Sequence, residues 1–289
     1  MHRKQEEMKI GIFDSGYGGL TILDAIRREL PQYDYIYLGD NSRAPYGTRS
    51  FDVIYSYTRQ AVKYLFEQDC ALVVLACNTA SAKALRTIQQ QDLPLLRKEM
   101  GRPVNVLGVI RPTVEAVPSI TKTGHVGILA TPATVSSESY VLELEKMNAH
   151  FAITQQACPM WVPLIEAGEH RHPGADYFVD LYLREILAKD PQIDTLVLGC
   201  THYPLLLPKI AHWIQANGKR FASGDIQVIS QGYLEAKSLA DYLLRHPEYR
   251  EQLSQNGTCS YLTTENADRF SQSASQFIGE KICAAHISL

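Results

Sequence analysis

The sequence predicts an α/β protein of two pseudo-symmetric domains, each a mainly parallel sheet flanked by helices, with the active site in the cleft between them. Three observations carry that prediction. Apolar strand-like runs alternate with amphipathic helical segments along the chain, the pattern of parallel sheets. Ile10-Gly11-Ile12-Phe13-Asp14-Ser15 is echoed by Val126-Gly127-Ile128-Leu129-Ala130-Thr131, and Asn105-Val106-Leu107-Gly108 by Gln227-Val228-Ile229-Ser230. Cys77 and Cys200 sit in near-twin frames, Leu72-Val73-Val74-Leu75-Ala76-Cys77-Asn78-Thr79 and Thr195-Leu196-Val197-Leu198-Gly199-Cys200-Thr201-His202. Matching Gly11 with Gly127, Cys77 with Cys200 and Leu107 with Ile229 gives offsets of 116, 123 and 122 residues, in one order. That is the mark of a duplicated α/β unit. A duplication relates the halves by a pseudo-twofold axis and sets the two cysteines facing each other.

The elements follow in order. A strand at 9–13 leads through the glycine-rich turn 14–19 into a helix at 20–29, whose Leu20, Leu23, Ile26 and Leu30 recur at helical spacing and which Pro31 stops. A strand at 35–38 is followed by a loop at 39–47, rich in breakers, and a long helix at 50–68. A third strand at 72–76 ends at Cys77, with a helix after Asn78, and a fourth lies at 104–109, with Pro112 opening the next helix. The second half repeats this rhythm: strands at 125–130, 151–155 and 194–199, with helices near 137–147, 160–168, 173–188 and 204–216. Residues 226–230 read as a last core strand, 233–245 as a helix and 260–264 as an edge strand. Because the strand near Ile226 matches an early one, it is expected to return to the first sheet. The domains are therefore expected at 1–108 plus 224–289, and at 109–223.

Composition excludes several classes. A chain of 289 residues suffices for two domains, and a net charge of −3 supplies no basic surface for nucleic acid. The start, Met1-His2-Arg3-Lys4-Gln5-Glu6-Glu7, is charged and lacks the apolar stretch of a signal peptide. No run approaches the roughly 18–20 apolar residues of a membrane span. A cytoplasmic protein without a membrane partner is expected. Six cysteines without a Cys-x-x-Cys pair argue against a structural zinc site, and no metal is expected.

Both matched cysteines fall just past a strand's carboxyl end, where open α/β sheets bind ligands. Taken singly, each could be a packed core thiol. Two in matched frames point to one sulfur on each side of a substrate, and inversion of a carbon stereocentre by opposed bases needs that arrangement. Helix N-termini and nearby cations favour the thiolate form, and both cysteines are placed for the first effect. Asp14 and Ser15 end the first strand, where a carboxylate could hold a substrate ammonium, accept a proton from a thiol, or cap the turn. His202, two residues after Cys200, could favour its thiolate or relay a proton. Glu166 is a candidate to support His202 from behind. Gly16-Tyr17-Gly18-Gly19 fits neither the P-loop nor the dinucleotide pattern and reads as a tight turn. Asn78, Thr79, Thr131, Thr134 and Thr201 supply small hydrogen-bonding groups at strand ends, suited to a polar amino acid.

Phe13-Asp14-Ser15-Gly16-Tyr17-Gly18-Gly19-Leu20-Thr21, Asp40-Asn41-Ser42-Arg43-Ala44-Pro45-Tyr46-Gly47, Ala76-Cys77-Asn78-Thr79-Ala80-Ser81 and Gly199-Cys200-Thr201-His202-Tyr203-Pro204-Leu205 together resemble the glutamate racemases, in order and over essentially the whole chain. The resemblance implies a cofactor-independent enzyme that interconverts L- and D-glutamate and supplies D-glutamate for peptidoglycan. It implies Cys77 as the base on the D face and Cys200 on the L face. It places Asp14, Ser15, Tyr46, Gly47, Asn78, Thr79, Thr201 and His202 on substrate-contacting positions, and Glu166 on an acidic position supporting the second cysteine. Asp14, His202 and Glu166 join the two cysteines as candidate catalytic residues; Thr131 and Thr134 join the binding set. Two segments depart from the family pattern, Pro132-Ala133 before Thr134 and Arg111-Pro112-Thr113. They bear on the second half's binding loop.

Pyridoxal phosphate is not needed by such a mechanism, and no lysine stands out as a Schiff-base former. The expected partner is the small-molecule substrate, and a homodimer is expected. An aspartate or related amino-acid racemase is the nearest alternative, though its second motif typically lacks the histidine of Cys200-Thr201-His202. A non-catalytic amino-acid binding protein would have no use for paired thiols. A redox or metal role for Cys77, Cys200 and His202 is the third alternative.

Overall fold

The structure, a computed structural model, describes residues 8–147, 150–222 and 224–289. The charged start at 1–7, on which the signal-peptide reading rests, lies outside the described residues. Strands are numbered along the chain: β1 Lys9–Asp14, β2 Tyr35–Gly39, β3 Cys70–Leu75, β4 Asn105–Gly108, β5 His125–Ala130, β6 Ala152–Ala157, β7 Thr195–Gly199, β8 Gln227–Ile229, β9 Cys259–Thr263 and β10 Ala284–His286. The chain divides into two compact units, one running up to Val109 and resuming with Gly232–Leu289, the other Ile110–Gln231.

The first unit holds a six-stranded sheet in the order β10-β9-β2-β1-β3-β4, every pairing parallel. All six residues of β3 are buried, so the strand reads as an unbroken apolar run rather than an alternating one. The helix Phe51–Glu67 buries Ile54, Thr58, Ala61, Val62, Leu65 and Phe66, one face at helical spacing. After Lys83 the helical path is broken by a π-helical turn at Ile88–Asp92, where the buried Asp92 accepts from Arg59 Nε (2.6 Å) and Tyr55 Oη (2.7 Å). The helix Ala267–Ile278 opens on Asn266, whose side chain accepts from Arg269 N, and closes on Gly279 at φ +77°, where glycine carries no steric cost.

The second unit holds a four-stranded parallel sheet in the order β6-β5-β7-β8. The order β2-β1-β3-β4 of the first unit is the same arrangement. The match extends to register. Gly11 pairs with Val73 and Gly127 with Leu196, so each cysteine lies four residues beyond the partner of its matched glycine. Both glycines serve close packing: a Cβ on Gly11 would meet Cys70 Sγ at 3.1 Å, and one on Gly127 would meet Leu196 Cδ2 at 2.6 Å.

Two expectations are corrected. The strand near 226–230 does not return to the first sheet; β8 pairs with β7, and the first unit resumes only at Gly232. The physical reason is the repeat itself, since Ile229 matches Leu107, the fourth strand of its own sheet. The strand near 260–264 is not an edge. β9 lies between β2 and β10, and the short β10 takes the edge instead. Among the described residues no helix is long and apolar enough to cross a membrane.

Candidate active site

In the first unit the site is built where β1, β2 and β3 end. Asp14 closes β1 and is fully buried. Its Oδ1 accepts the Gly16 N–H at 2.8 Å, and Tyr37 donates its hydroxyl to Gly16 O at 2.8 Å. The turn folds back so closely that a Cβ on Gly19 would stand 2.5 Å from Asp14 Cβ. The glycine-rich turn is thus a backbone wrap over a buried carboxylate. Cys77, 6% exposed, stands at the N-terminal boundary of the helix Asn78–Lys83, its sulfur making no cap hydrogen bond. Ser15 Oγ lies 3.2 Å from Cys77 Sγ, either atom able to donate. Asn78 and Thr79 follow, both buried.

Tyr46 is buried and Gly47 half-buried on the loop after β2. The Tyr46 hydroxyl donates to Asp40 Oδ2. Asp40, fully buried at the end of β2, also accepts from Arg43 Nε on both oxygens (2.7 and 2.9 Å) and from Thr264 Oγ1 at 2.8 Å. Arg43 in turn stacks over the Tyr57 ring, 4.1 Å from its centroid. Burial, and then the Asp40 charge, push the Tyr46 phenol far above its ordinary range, so it acts only in its protonated form. Asp40 escaped the sequence reading. Its signal was positional, since it follows β2 as Asp14 ends β1.

In the second unit the site is built where β5 and β7 end. Cys200 is 6% exposed and His202 5%. His202 Nδ1 lies 3.9 Å from Cys200 Sγ, and its Nε2 lies 3.0 Å from Glu166 Oε1, the last residue of the helix Trp161–Glu166. Burial opposes charge on His202. Cys200 and Glu166 outweigh it, through hydrogen bonds and charge, and hold the imidazolium well above the usual histidine range. Cys200, His202 and Glu166 therefore form one connected chain. Burial, then the charge of Cys200, push the neighbouring Cys158 thiol up. Tyr203 donates its hydroxyl to Cys158 O at 3.2 Å and packs edge-on against Trp161.

Thr201 is buried directly after Cys200. Thr131 caps the short helix Pro132–Ser136: its Oγ1 accepts from Thr134 N at 3.3 Å and lies 3.1 Å from Thr134 Oγ1. Pro132 sits at the first helical position, where its missing N–H costs nothing. One expectation is corrected here. A 3₁₀ turn, Tyr203–Leu206, follows Cys200, and the α-helix begins only at Leu207, so no helix N-terminus abuts the second sulfur. Its cationic neighbour is His202 instead. Among the described residues no group of three or more His, Cys, Asp or Glu is arranged to hold a metal ion.

The profile of the Asp/Glu/hydantoin racemase family matches residues 19–229, a span that includes both cysteines. A glutamate racemase of Ruegeria sp. (strain TM1040) is 40% identical over 285 residues, spanning 95% of this chain and 98% of its own. One of Streptococcus gordonii is 36% identical over 286 residues, spanning 97% and 98%. Among solved structures, a glutamate racemase isoform of Bacillus anthracis superposes with a TM-score of 0.84 at 30% identity, covering 98% of both chains. The glutamate racemase of Francisella tularensis, solved in complex with D-glutamate, does so with a TM-score of 0.81 at 29% identity, again covering 98% of both.

Proposed function

The chain belongs to the Asp/Glu/hydantoin racemase family and, within it, to the glutamate racemases, and from that premise we propose that it inverts the Cα of glutamate by a cofactor-independent, two-cysteine proton transfer. The observation that carries the mechanism is the shared register: Cys77 and Cys200 stand at the same place beyond the same strand of two matching sheets. In this reading the Cys200 thiolate removes the proton of L-glutamate while the Cys77 thiol delivers one to the opposite face, and the roles exchange from D-glutamate. The mechanism requires both sulfurs to reach one Cα from opposite sides.

An amino-acid α-proton is weakly acidic, so the site must also stabilise the carbanion by hydrogen bonds and charge. Asn78, Thr79 and Thr201 are the proposed donors, with Asp14, Ser15, Tyr46, Gly47, Thr131, Thr134 and His202 completing the substrate contacts. His202, backed by Glu166, keeps a positive charge beside the Cys200 sulfur. The product serves peptidoglycan synthesis, and the enzyme works as a cytoplasmic homodimer with glutamate as its partner. Sedimentation and cell fractionation test those last two points.

The mechanism is tested in D₂O without added cofactor. Because the sulfur that returns a hydrogen is not the one that removed it, early product from either enantiomer carries deuterium at Cα while unreacted substrate stays protiated. Product that keeps mainly its original hydrogen refutes the two-base mechanism. Faster turnover of aspartate than of glutamate refutes the substrate assignment.

A further inference from the structure

We propose that Ser15 is a catalytic residue, the hydroxyl that steadies the Cys77 sulfur in both of its protonation states. The proposal rests on the two-cysteine reading and assigns Ser15 a role beyond substrate contact. Its Oγ lies 3.2 Å from Cys77 Sγ. A hydroxyl both donates and accepts. Against a thiolate it donates O–H to sulfur; against a thiol it accepts S–H. The contact therefore survives each turnover, as Cys77 gains a proton from Cα on one face or gives one up, and only its direction reverses. The ionic form of such a bond is the stronger, so the net effect favours the thiolate.

The scaffold aims this hydroxyl before substrate arrives. Ser15 stands between Asp14, whose carboxylate holds the Gly16 N–H, and Gly16, whose carbonyl takes the Tyr37 hydroxyl. β2 presses on the same peptide, since a Cβ on Gly39 would approach Gly16 O to 3.0 Å. A group pinned on both sides needs no reorganisation at the moment of reaction. Tyr37 from β2 and Tyr46 from the following loop both feel the charge of this sulfur, with Asp14 and Tyr17 also acting on Tyr37 and Asp40 on Tyr46. Burial first, then nearby negative charge, keep both phenols protonated.

The matched position in the second unit differs in its chemistry. Thr131 directs its oxygen to Thr134 N as a helix cap, and Cys200 faces an imidazole backed by a carboxylate. One sulfur is served by a neutral hydroxyl, the other by an imidazolium.

The test follows alkylation of each cysteine by iodoacetamide across pH, peptide by peptide, in the full-length protein. In Ser15→Ala the midpoint for Cys77 moves up by about one pH unit, the difference between an ionic and a neutral hydrogen bond. Below that midpoint its alkylation slows about tenfold, while the Cys200 profile stays in place. Ser15→Thr, which keeps a hydroxyl, returns the Cys77 midpoint toward wild type. A wild-type Cys77 profile in Ser15→Ala, with KM alone raised, overturns the proposal, as does a Ser15→Thr enzyme that repeats the alanine shift. Failure of the two-cysteine reading looks different: Cys77→Ala would continue to racemise whatever Ser15 does.

Discussion

Glu235 is a carboxylic acid buried for structural reasons, and replacing it with glutamine is expected to stabilise the protein in a pH-dependent way. It lies on the helix Gln231–Arg245, 2% exposed, next to Ala236, which with Leu239 and Leu243 joins the core of the first unit. Among the buried side-chain atoms of the described residues, its Oε2 is one that finds no hydrogen-bond partner. Burial alone pushes its pKa from 4.5 up to about 7. A carboxyl whose pKa is raised by folding binds its proton more tightly in the native state than in the unfolded one. Stability therefore falls as pH rises from the unfolded value through the folded one, and the loss is complete above about pH 7. At 1.36 kcal/mol per pH unit the loss reaches about 3 kcal/mol. Below pH 4.5 it vanishes. Glu235→Gln keeps the shape and removes the charge, so its gain should be near zero at pH 4.5 and largest at pH 8, where the melting temperature rises by about 5 °C. Thermal unfolding of both proteins from pH 4.5 to pH 8 checks this. Parallel stability curves across that range would refute it, because they would mean that Glu235 finds a partner or water in solution.

Cys77→Ala and Cys200→Ala should each lower racemisation by several orders of magnitude, since each direction needs one sulfur as base and the other as acid. Cys259→Ala, on β9, should leave turnover nearly intact, and substantial racemisation by Cys77→Ala would count against two bases. Glu166→Gln removes part of what holds His202 charged, so His202 should lose its proton at lower pH. The alkaline fall of kcat/KM with L-glutamate should then move to lower pH, and a profile coincident with wild type would separate Glu166 from catalysis.

Much of the fold was legible because the core strands are apolar runs bounded by glycine and small polar residues, and because the duplication repeats them in order. The internal match of Leu107 with Ile229 already held the sheet membership of β8; reading residues 226–230 by likeness to an early strand alone sent it to the wrong sheet. β10 was not legible, because three half-exposed or exposed residues, Ala284–His286, carry no periodicity. Without it β9 looked like an edge. That the cysteines, Asp14 and His202 fall at strand ends was legible from the apolar runs before them. The 3.0 Å contact of Glu166 with His202 was expected from the family resemblance and not from spacing, because the helix that carries Glu166 lies 36 residues away in sequence. Asp40 was hidden for the opposite reason: its partners Arg43 and Tyr46 are so near in sequence that all three read as one polar loop.

The first sheet is written in two instalments, and this sets an order on synthesis. β1 to β4 emerge early, but β9, the neighbour of β2, is made only after the whole of Ile110–Gln231. Until then Tyr35–Gly39, buried at every residue in the finished protein, is an open apolar edge. The second unit is continuous in the chain and closes its own sheet without waiting. A ribosome that stalls late therefore releases a molecule whose second unit is complete and whose first still offers a sticky strand to its neighbours. The segment after Gln231 also brings Thr264 to Asp40, and it decides whether the half that carries Cys77 leaves the ribosome as an enzyme or as a seed for aggregation.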